Sequence, residues 1–236
     1  MKPVFLFLFS VSVAGVCLGQ KTIHDPNAEV RNVSGFHAID VAGGVDLFLS
    51  GGEEVVVVSA KDIDTRNHIH TEIRNGVLRI WFDWKDTRLN FGNKNLKAYV
   101  SYKMLDRLVA SGGSDVSVDG VLKADHLDLV VSGGSDFSGK VEANSIKINQ
   151  SGGSDIDISG NAESITIDAS GGSDFNGYDL VAGSCYITAS GGSDIDITVN
   201  KEFSAEASGA SDISWKGSAT VKKAKASGSG SVSHRS

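Results

Sequence analysis

Cysteine and proline are scarce in this chain of 236 residues, which contains two of each. Both prolines, Pro3 and Pro26, lie near the start, so the remainder has no proline to interrupt backbone pairing in a sheet. The cysteines are Cys17 and Cys185. If the segment that contains Cys17 is removed as a leader, no disulfide can form within the chain. Its stability must then come from packing and backbone hydrogen bonds.

Positive charge is also sparse in the second half of the chain. No arginine occurs between Arg107 and Arg235, and only 9 of the 22 basic residues, against 17 of the 29 acidic ones, lie from Ser111 onward. An acidic surface repels phosphate-rich polymers, which argues against nucleic acid and anionic membranes as partners. The chain also lacks a Gly-x-Ser-x-Gly elbow, a phosphate-binding loop and a Cys–His signature. We therefore predict that it is not an enzyme.

Long apolar runs are missing except at the start, from Val4 to Val16, and that run is short for a membrane span. It predicts a signal peptide over residues 1–19 that is cleaved after Gly19, with small residues in the −3 and −1 places. The alternative is a lipoprotein modified at Cys17, for which Val16 is a poor neighbour. The mature chain would have no transmembrane domain, and residues 20–33 would form a linker.

A repeated pentapeptide organises the second half of the chain. Ser-Gly-Gly-Ser-Asp gives way to Ser-Gly-Ala-Ser-Asp and then to Ser-Gly-Ser-Gly-Ser, and successive starts are 21, 19, 19, 20, 18 and 19 residues apart. The copies start at Ser111, Ser132, Ser151, Ser170, Ser190, Ser208 and Ser227. A near-constant spacing of this size indicates one structural unit stacked repeatedly on the next.

Apolar residues alternate with polar ones on both sides of each pentapeptide, which is the pattern of a half-buried strand. Before the pentapeptide the inward positions include Leu127, Leu129, Ile146, Ile148, Ile165, Ile167, Cys185 and Ile187. After it they include Val116, Phe137, Ile156, Phe175, Ile195 and Ile213. Two coils read Phe-x-Gly where others read Ile-x-Ile, as expected when a core of fixed volume is filled.

These patterns predict an all-β fold, a β-helix or β-solenoid with about 19 residues per coil. Each coil would hold two short strands and two turns, with the Gly-Gly pair at one corner. Residues 111–236 would form the solenoid and residues 34–110 an irregular N-terminal β cap continuous with it. The predicted cap strands are Phe36–Val41, Val45–Leu49, Val55–Ser59, Ile69–Arg74, Val77–Phe82 and Lys97–Tyr102. Asn75-Gly76 predicts a hairpin turn between two of them.

The order of these segments resembles the autotransporter adhesin, head GIN domain family of secreted bacterial proteins. The resemblance begins with FHAIDVAGGVDLFLSGGEEVVVVS at Phe36 and continues through Glu72-Ile73-Arg74-Asn75-Gly76 into the Ser-Gly-rich coils. It covers residues 34 to 230, and it implies a right-handed β-helix and a location in the envelope of a Gram-negative bacterium. No catalytic residue is carried over by it.

The repeated aspartates are the strongest candidate site. We call them the Asp ladder: Asp115, Asp136, Asp155, Asp174, Asp194 and Asp212. Adjacent carboxylates would lie about 5 Å apart, and like charges directly opposed across strands repel. Bound cations, turn hydrogen bonds or solvent could relieve that repulsion, and calcium is the cation that prefers such oxygens. Turn capping is our prediction, and a weak calcium site is the alternative.

Other side chains offer weaker candidates. His68 and His70 could share one strand face as a metal pair, but no third ligand is evident. Trp81 and Trp84 could present aromatic rings to a sugar, although one of Trp81 and Phe82 must face the core. Cys185 falls in the inward pattern and is predicted to be a buried apolar residue rather than a nucleophile.

The sequence as a whole predicts a non-catalytic binding, adhesion or structural module. It would be secreted, periplasmic or exposed on the outer-membrane surface of a Gram-negative bacterium, with an envelope protein or a glycan as partner and no resident cofactor. An envelope carbohydrate-active protein and a weakly calcium-dependent adhesion module are the alternatives. The oligomeric state and the identity of the ligand do not follow from the sequence.

Overall fold

The structure, a computed structural model, describes residues 16–18, 21–23, 25–85 and 94–235. Most of the predicted signal peptide lies outside these residues. Strands dominate the described part, and its single helix, α1 (Ile63–Arg66), is four residues long. The strands before the first pentapeptide are β1 (Val16–Leu18), β2 (Lys21–Ile23), β3 (Glu29–Arg31), β4 (Ala38–Ala42), β5 (Asp46–Gly51), β6 (Val55–Ser59), β7 (Ile69–Arg74), β8 (Val77–Phe82), β9 (Lys97–Tyr102) and β10 (Arg107–Ser111).

The strands of the repeat region are much longer. They are β11 (Val116–Ser132), β12 (Phe137–Gly152), β13 (Asp155–Gly171), β14 (Asp174–Gly191), β15 (Asp194–Ala207), β16 (Asp212–Lys216), β17 (Thr220–Ala226) and β18 (Ser231–His234). Each pairs in parallel with its equivalent in the next coil. The result is a β-solenoid of about seven turns, spaced about 19 residues apart, which confirms the predicted fold class.

One detail of the coil differs from the prediction of two separate short strands. From β11 to β15 a single strand runs from one corner to the next, and the second turn is a bend within it. The register of pairing shifts at that bend, for example between Ser117 and Val121 and between Asp157 and Gly160. Pairing with neighbouring coils therefore continues around the bend, because the chain turns without leaving the stack.

The interior is one continuous apolar core that runs from the cap through the coils. Phe137 and Phe175 are fully buried. A Cβ added at Gly177 would collide with the Phe175 ring, and a Cβ at Gly139 would collide with Val118 of the preceding coil and crowd the Phe137 ring at 3.2 Å. The ring fills the volume that a second isoleucine fills elsewhere, which confirms the Phe-x-Gly interpretation. The bend contributes a third set of buried side chains that the sequence analysis did not identify: Leu122, Val141, Leu180 and Val199.

Gln150 is the one polar residue in the inward position just before a corner. Its side chain is 2% exposed, and its Nε2 donates to the carbonyl oxygens of Ser154 at 2.7 Å and Asp174 at 2.8 Å. Other coils carry alanine or valine at this position. The glutamine therefore connects two successive corners from inside the core.

The cap is interleaved with the coils rather than placed before them. Strands β4 and β5 form a coil that pairs on one side with β8 and β9 and on the other with β10 and β11. In chain order, β4 and β5 therefore come first, the parallel pair β8 and β9 on one side of them comes next, and β10 and β11 on the other side continue the rod. Strand β7 pairs antiparallel with β8 through the Asn75-Gly76 turn, where both residues have positive φ, as predicted.

A second antiparallel layer covers the other half of the cap. Strand β6 pairs antiparallel with β9, and β3 pairs antiparallel with β6. Residues near β3 also contact the cap: Asn27 Nδ2 donates to the Ala60 carbonyl at 3.0 Å, and Arg66 forms an ion pair with Glu29 at 2.8 Å. The segment predicted to be a linker, residues 20–33, is thus partly paired with the cap.

Candidate functional site

The corner of each coil is held by the first glycine of the pentapeptide. Its φ is positive, for example 86° at Gly152 and 88° at Gly171. A Cβ at Gly171 would lie 2.6 Å from the carbonyl oxygen of Gly152 in the coil below. Only glycine tolerates both this backbone conformation and this approach. The glycines therefore stack along one edge of the rod, as the sequence analysis predicted.

The second glycine of the pentapeptide is under less constraint in the later coils. Gly172 is outside the positive-φ region, and a Cβ there would meet nothing within 4 Å. Only Gly113 and Gly134, in the first two copies, have positive φ at this position. This difference explains why the sixth copy can carry Ala210 at the same place.

The second serine of the pentapeptide closes the corner from inside. Ser114, Ser135, Ser154, Ser173, Ser193 and Ser211 are all fully buried. In the last four of these serines the hydroxyl donates to the carbonyl of the residue three positions earlier, for example at 2.9 Å from Ser193 to Ser190. The hydroxyl oxygens of Ser114 and Ser135 instead accept backbone N–H groups from the neighbouring coil. These serines are therefore structural, because their hydroxyls are enclosed in the corner rather than presented to a substrate.

The Asp ladder lies on the outside of the same corner, and all six of its side chains are exposed. Asp46 extends the ladder into the cap, since Leu47 is in register with Val116. The backbone N–H of Asp136 donates to Asp115 Oδ1 at 3.2 Å, and that of Asp155 donates to Asp136 Oδ1 at 3.1 Å. Where they bond to backbone, these carboxylates join one coil to the next instead of capping their own turn.

At two positions of the ladder, partial burial and the neighbouring carboxylates both disfavour the ionised form. Partial burial first, and then the charges of Asp155 and Asp194, raise the pKa of Asp174. Partial burial, followed by the charge of Asp136, also raises the pKa of Asp115. Among the described residues, no group of three or more histidine, cysteine, aspartate or glutamate side chains is placed to hold a metal ion. The ladder is thus a row of like charges in which each coil supplies one carboxylate.

Replacing Asp174 with asparagine should raise the melting temperature at pH 7. Because its pKa is raised, Asp174 binds a proton more readily in the folded chain than in the unfolded chain. Its protonated form therefore stabilises the fold below the unfolded pKa, and this stabilisation is lost as the pH rises through the folded pKa. The gain should shrink below about pH 4, where the parent is protonated. Asp168→Asn is the control, because its in-register neighbours are Asn149 and Thr188. Equal gains in both variants at pH 7 would contradict ladder repulsion.

The two candidate tryptophans lie at the cap end of the rod. Trp81 is half-buried and stacks on His70 with ring centroids 5.3 Å apart. Trp84 donates from Nε1 to the Gly43 carbonyl at 3.2 Å and packs edge-on against Phe82 at 4.8 Å. Gly43 belongs to the cap corner that stacks on Gly112, so Trp84 covers the end of the glycine row. Both rings thus have structural contacts.

The other candidates also have contacts within the fold. His68 lies beside Phe82 with ring centroids 6.0 Å apart, whereas His70 lies against Trp81. The two imidazoles thus contact different aromatic residues. Cys185 is buried between Ile165 and Phe203 in the inward row, and burial raises the pKa of its thiol. The cysteine therefore fills the core as predicted, since a thiol of raised pKa is a poor nucleophile.

A groove on the outer face of β12 to β15 was not identified from the sequence. We call it the Tyr178 groove; it has a volume of about 430 Å³. It is lined by Ser138, Gly139, Asp157, Ile158, Ser159, Asn176, Tyr178, Asp179 and Asp196. Three carboxylates and no basic side chain line it, so it favours neutral or positively charged ligands over anions.

A β-bulge forms one wall of the groove. Gly177 is in register with Ile197 and Val181 with Thr198, so residues 178–180 have no counterpart in β15. The freed carbonyl of Tyr178 accepts from Thr198 Oγ1 at 2.7 Å. The sequence does contain a signal for this bulge: the spacing from Ser170 to Ser190 is 20 residues, against 19 before it and 18 after it. Bulges frequently redirect side chains next to binding sites.

Tyr178 itself is held in place by its neighbours. The ammonium of Lys216 lies 4.2 Å from the centroid of its ring. Burial first, followed by the nearby Asp196 carboxylate, raises the pKa of the phenol. The ring therefore has a defined orientation on an otherwise flat and polar face.

The described part of the chain contains no helix with the length and apolar character needed to span a membrane.

The fold is similar to a crystal structure of "a putative adhesin" from Bacteroides fragilis NCTC 9343, with a TM-score of 0.80, 18% identity, and coverage of 94% of this chain and all of that one. It is also similar to a "putative adhesin" and a "Putative lipid binding protein" from Parabacteroides distasonis ATCC 8503. For the adhesin the TM-score is 0.68 at 21% identity, with coverage of 88% of this chain and 96% of that one. For the protein described as lipid binding, the TM-score is 0.64 at 19% identity, with coverage of 90% of this chain and 98% of that one.

Because these structures are only 18%, 19% and 21% identical to this chain, the similarity shows a shared fold and no shared function. No curated protein matches the chain. A sequence profile of one family does match, over residues 35–219, which include both the cap and most of the coils. The chain therefore belongs to the family described as "Putative auto-transporter adhesin, head GIN domain".

Proposed function

We propose that this protein is a non-catalytic binding module that acts outside the cytoplasm, in the envelope or at the surface of a Gram-negative bacterium. The observation that carries the proposal is the contrast between the two sides of the corner. On the inside, the repeated serine hydroxyls form hydrogen bonds within the corner. Outside, successive coils present polar side chains on a regular, stacked face. Such a surface suits attachment to a partner along the rod.

The family description and the adhesins of similar fold support this proposal, and so does the apolar run from Val4 to Val16, which has the character of a signal peptide. A calcium-dependent form of adhesion is the second candidate. Its support is the raised pKa of Asp174, since a bound cation would relieve the repulsion from Asp155 and Asp194.

The test is a binding screen of the purified, processed chain against arrays of glycans and envelope proteins, with and without millimolar calcium. We expect saturable binding to at least one class of ligand, with the ligand recovered chemically unchanged. Cleavage or modification of the ligand would favour the carbohydrate-active alternative. Binding that requires calcium and is lost in an Asp155→Asn, Asp174→Asn double variant would favour the second candidate. Failure to bind any class would contradict a binding role.

A further inference from the structure

The Tyr178 groove brings together several polar side chains that have no partner within the described part of the fold. Within the described residues, the side chains of Ser138, Asp157, Ser159, Asn176 and Asp179 make no hydrogen bond or ion pair. The groove thus gathers donors and acceptors that the fold itself does not use.

The arrangement of these groups follows from strand register. Ser138, Asp157, Asn176 and Asp196 are in-register neighbours in four successive coils. Their side chains therefore follow one another at about 4.8 Å along the rod, a distance similar to the spacing of successive rings in a linear oligosaccharide. The bulge of β14 adds Tyr178 and Asp179 beside this row. A row of planar acceptors with an aromatic ring at its flank is the result.

The chemistry of the lining selects among ligand classes. A phosphate, sulfate or uronic acid would meet three carboxylates and no basic side chain in the lining, so anions are disfavoured. A peptide bound by burial of apolar side chains would need a deep apolar pocket, but the groove is shallow and polar. Vicinal hydroxyls, in contrast, can donate to carboxylate and amide oxygens while accepting from serine hydroxyls.

Tyr178 adds an apolar surface to the hydrogen-bonding groups of the groove. Lys216 occupies one face of the Tyr178 ring, so a ligand in the groove meets the opposite face or the edge of the ring. The C–H surfaces of a pyranose can pack there, since an aromatic side chain combines apolar area with a polar tip. The Lys216 ammonium already packs on the ring, so less of its orientation has to be fixed upon binding.

We infer that the Tyr178 groove binds neutral oligosaccharides, with Asp157 and Asn176 accepting hydroxyl hydrogen bonds and Tyr178 packing against a sugar ring. This inference rests on the proposed binding function and specifies its ligand class. It also predicts a charge preference: neutral glycans bind better than glycans that contain uronic acids.

The test is calorimetric or NMR titration of the full processed chain with three probes of matched length: a neutral gluco-oligosaccharide, an oligogalacturonate and a chitosan oligomer. We expect the neutral probe to bind, and the Asp157→Ala, Asn176→Ala double variant to weaken that binding by about tenfold or more. The matched control is Asp168→Ala, Thr188→Ala, which also removes one carboxylate and one neutral polar group from in-register neighbours, on the strand segment before the corner. It should retain the parent affinity and melting temperature.

Each other outcome overturns the inference in a distinguishable way. If the neutral probe binds equally to the parent and the groove variant, the site lies elsewhere and the binding function stands. A preference for oligogalacturonate would contradict the electrostatic argument. Preference for chitosan would mean that charge, rather than hydroxyl recognition, selects the ligand. If no probe binds but the chain binds an envelope protein in the array screen, the groove inference fails while the proposed function survives.

Discussion

Replacing Ile167 with alanine should lower the free energy of unfolding by about 2–5 kcal/mol. Ile167 is fully buried and lies in register between Ile148 and Ile187 in the middle of the stack. Truncation removes contacts in its own coil and in both neighbouring coils, and the paired backbone prevents those coils from closing the cavity. Urea unfolding followed by circular dichroism provides the measurement.

The neighbouring residue provides the control for this change. Thr166 points outward from the same strand, between Lys147 and Tyr186, and is only half-buried. Thr166→Ala should change stability by no more than about 0.5 kcal/mol. A loss of that small size in the Ile167 variant would mean that the two faces of the strand had been assigned the wrong way round.

Two adjacent glycines should respond very differently to the same substitution. Gly171→Ala should destabilise by about 1–3 kcal/mol from backbone strain, and the 2.6 Å approach to the Gly152 carbonyl should place it at the upper end. Gly172→Ala should be within about 0.5 kcal/mol of the parent, because its φ is not positive and its Cβ would be in open space. Thermal unfolding of the two variants measures the difference.

The informative comparison is between the two alanine variants, since both alter the unfolded chain in the same way. Equal melting temperatures would show that the corner can move apart to accept a Cβ, which is incompatible with tightly stacked glycines. A larger loss at Gly172 than at Gly171 would assign the constrained position to the other glycine of the pair.

The repeat itself was predictable because both of its signals are local in sequence. The pentapeptide spacing defined the coils, and period-2 alternation identified inward residues such as Ile148 and Phe175, both buried. The same alternation also contained the buried serines: Ser173 is two residues before Phe175 and therefore faces the same way. That signal was obscured because serine and aspartate are both ordinary turn residues.

Other features depended on pairings between distant parts of the chain. Leu122 and Val199 are buried at the bend, but their distances from the preceding pentapeptide differ, so no fixed offset identifies them. The pairing of β4 with both β8 and β10 has no sequence signature, because any apolar parallel strand would pair equally well. The Tyr178 groove required a change of one residue in spacing to be interpreted as a bulge.

The interleaved cap makes the two ends of the rod different from each other. The coil of β4 and β5 is covered on one side by β8 and β9, and its other edge is where β10 and β11 attach. At the far end the antiparallel strands β6 and β7 pair with β9 and β8, so the parallel stacking of coils continues only away from the cap. Strands β4 and β5 thus present the edge on which the first coil, formed by β10 and β11, is paired. Loss of whole coils from the opposite end of the rod would leave these pairings in place, because all of them lie between the cap strands and the first coil.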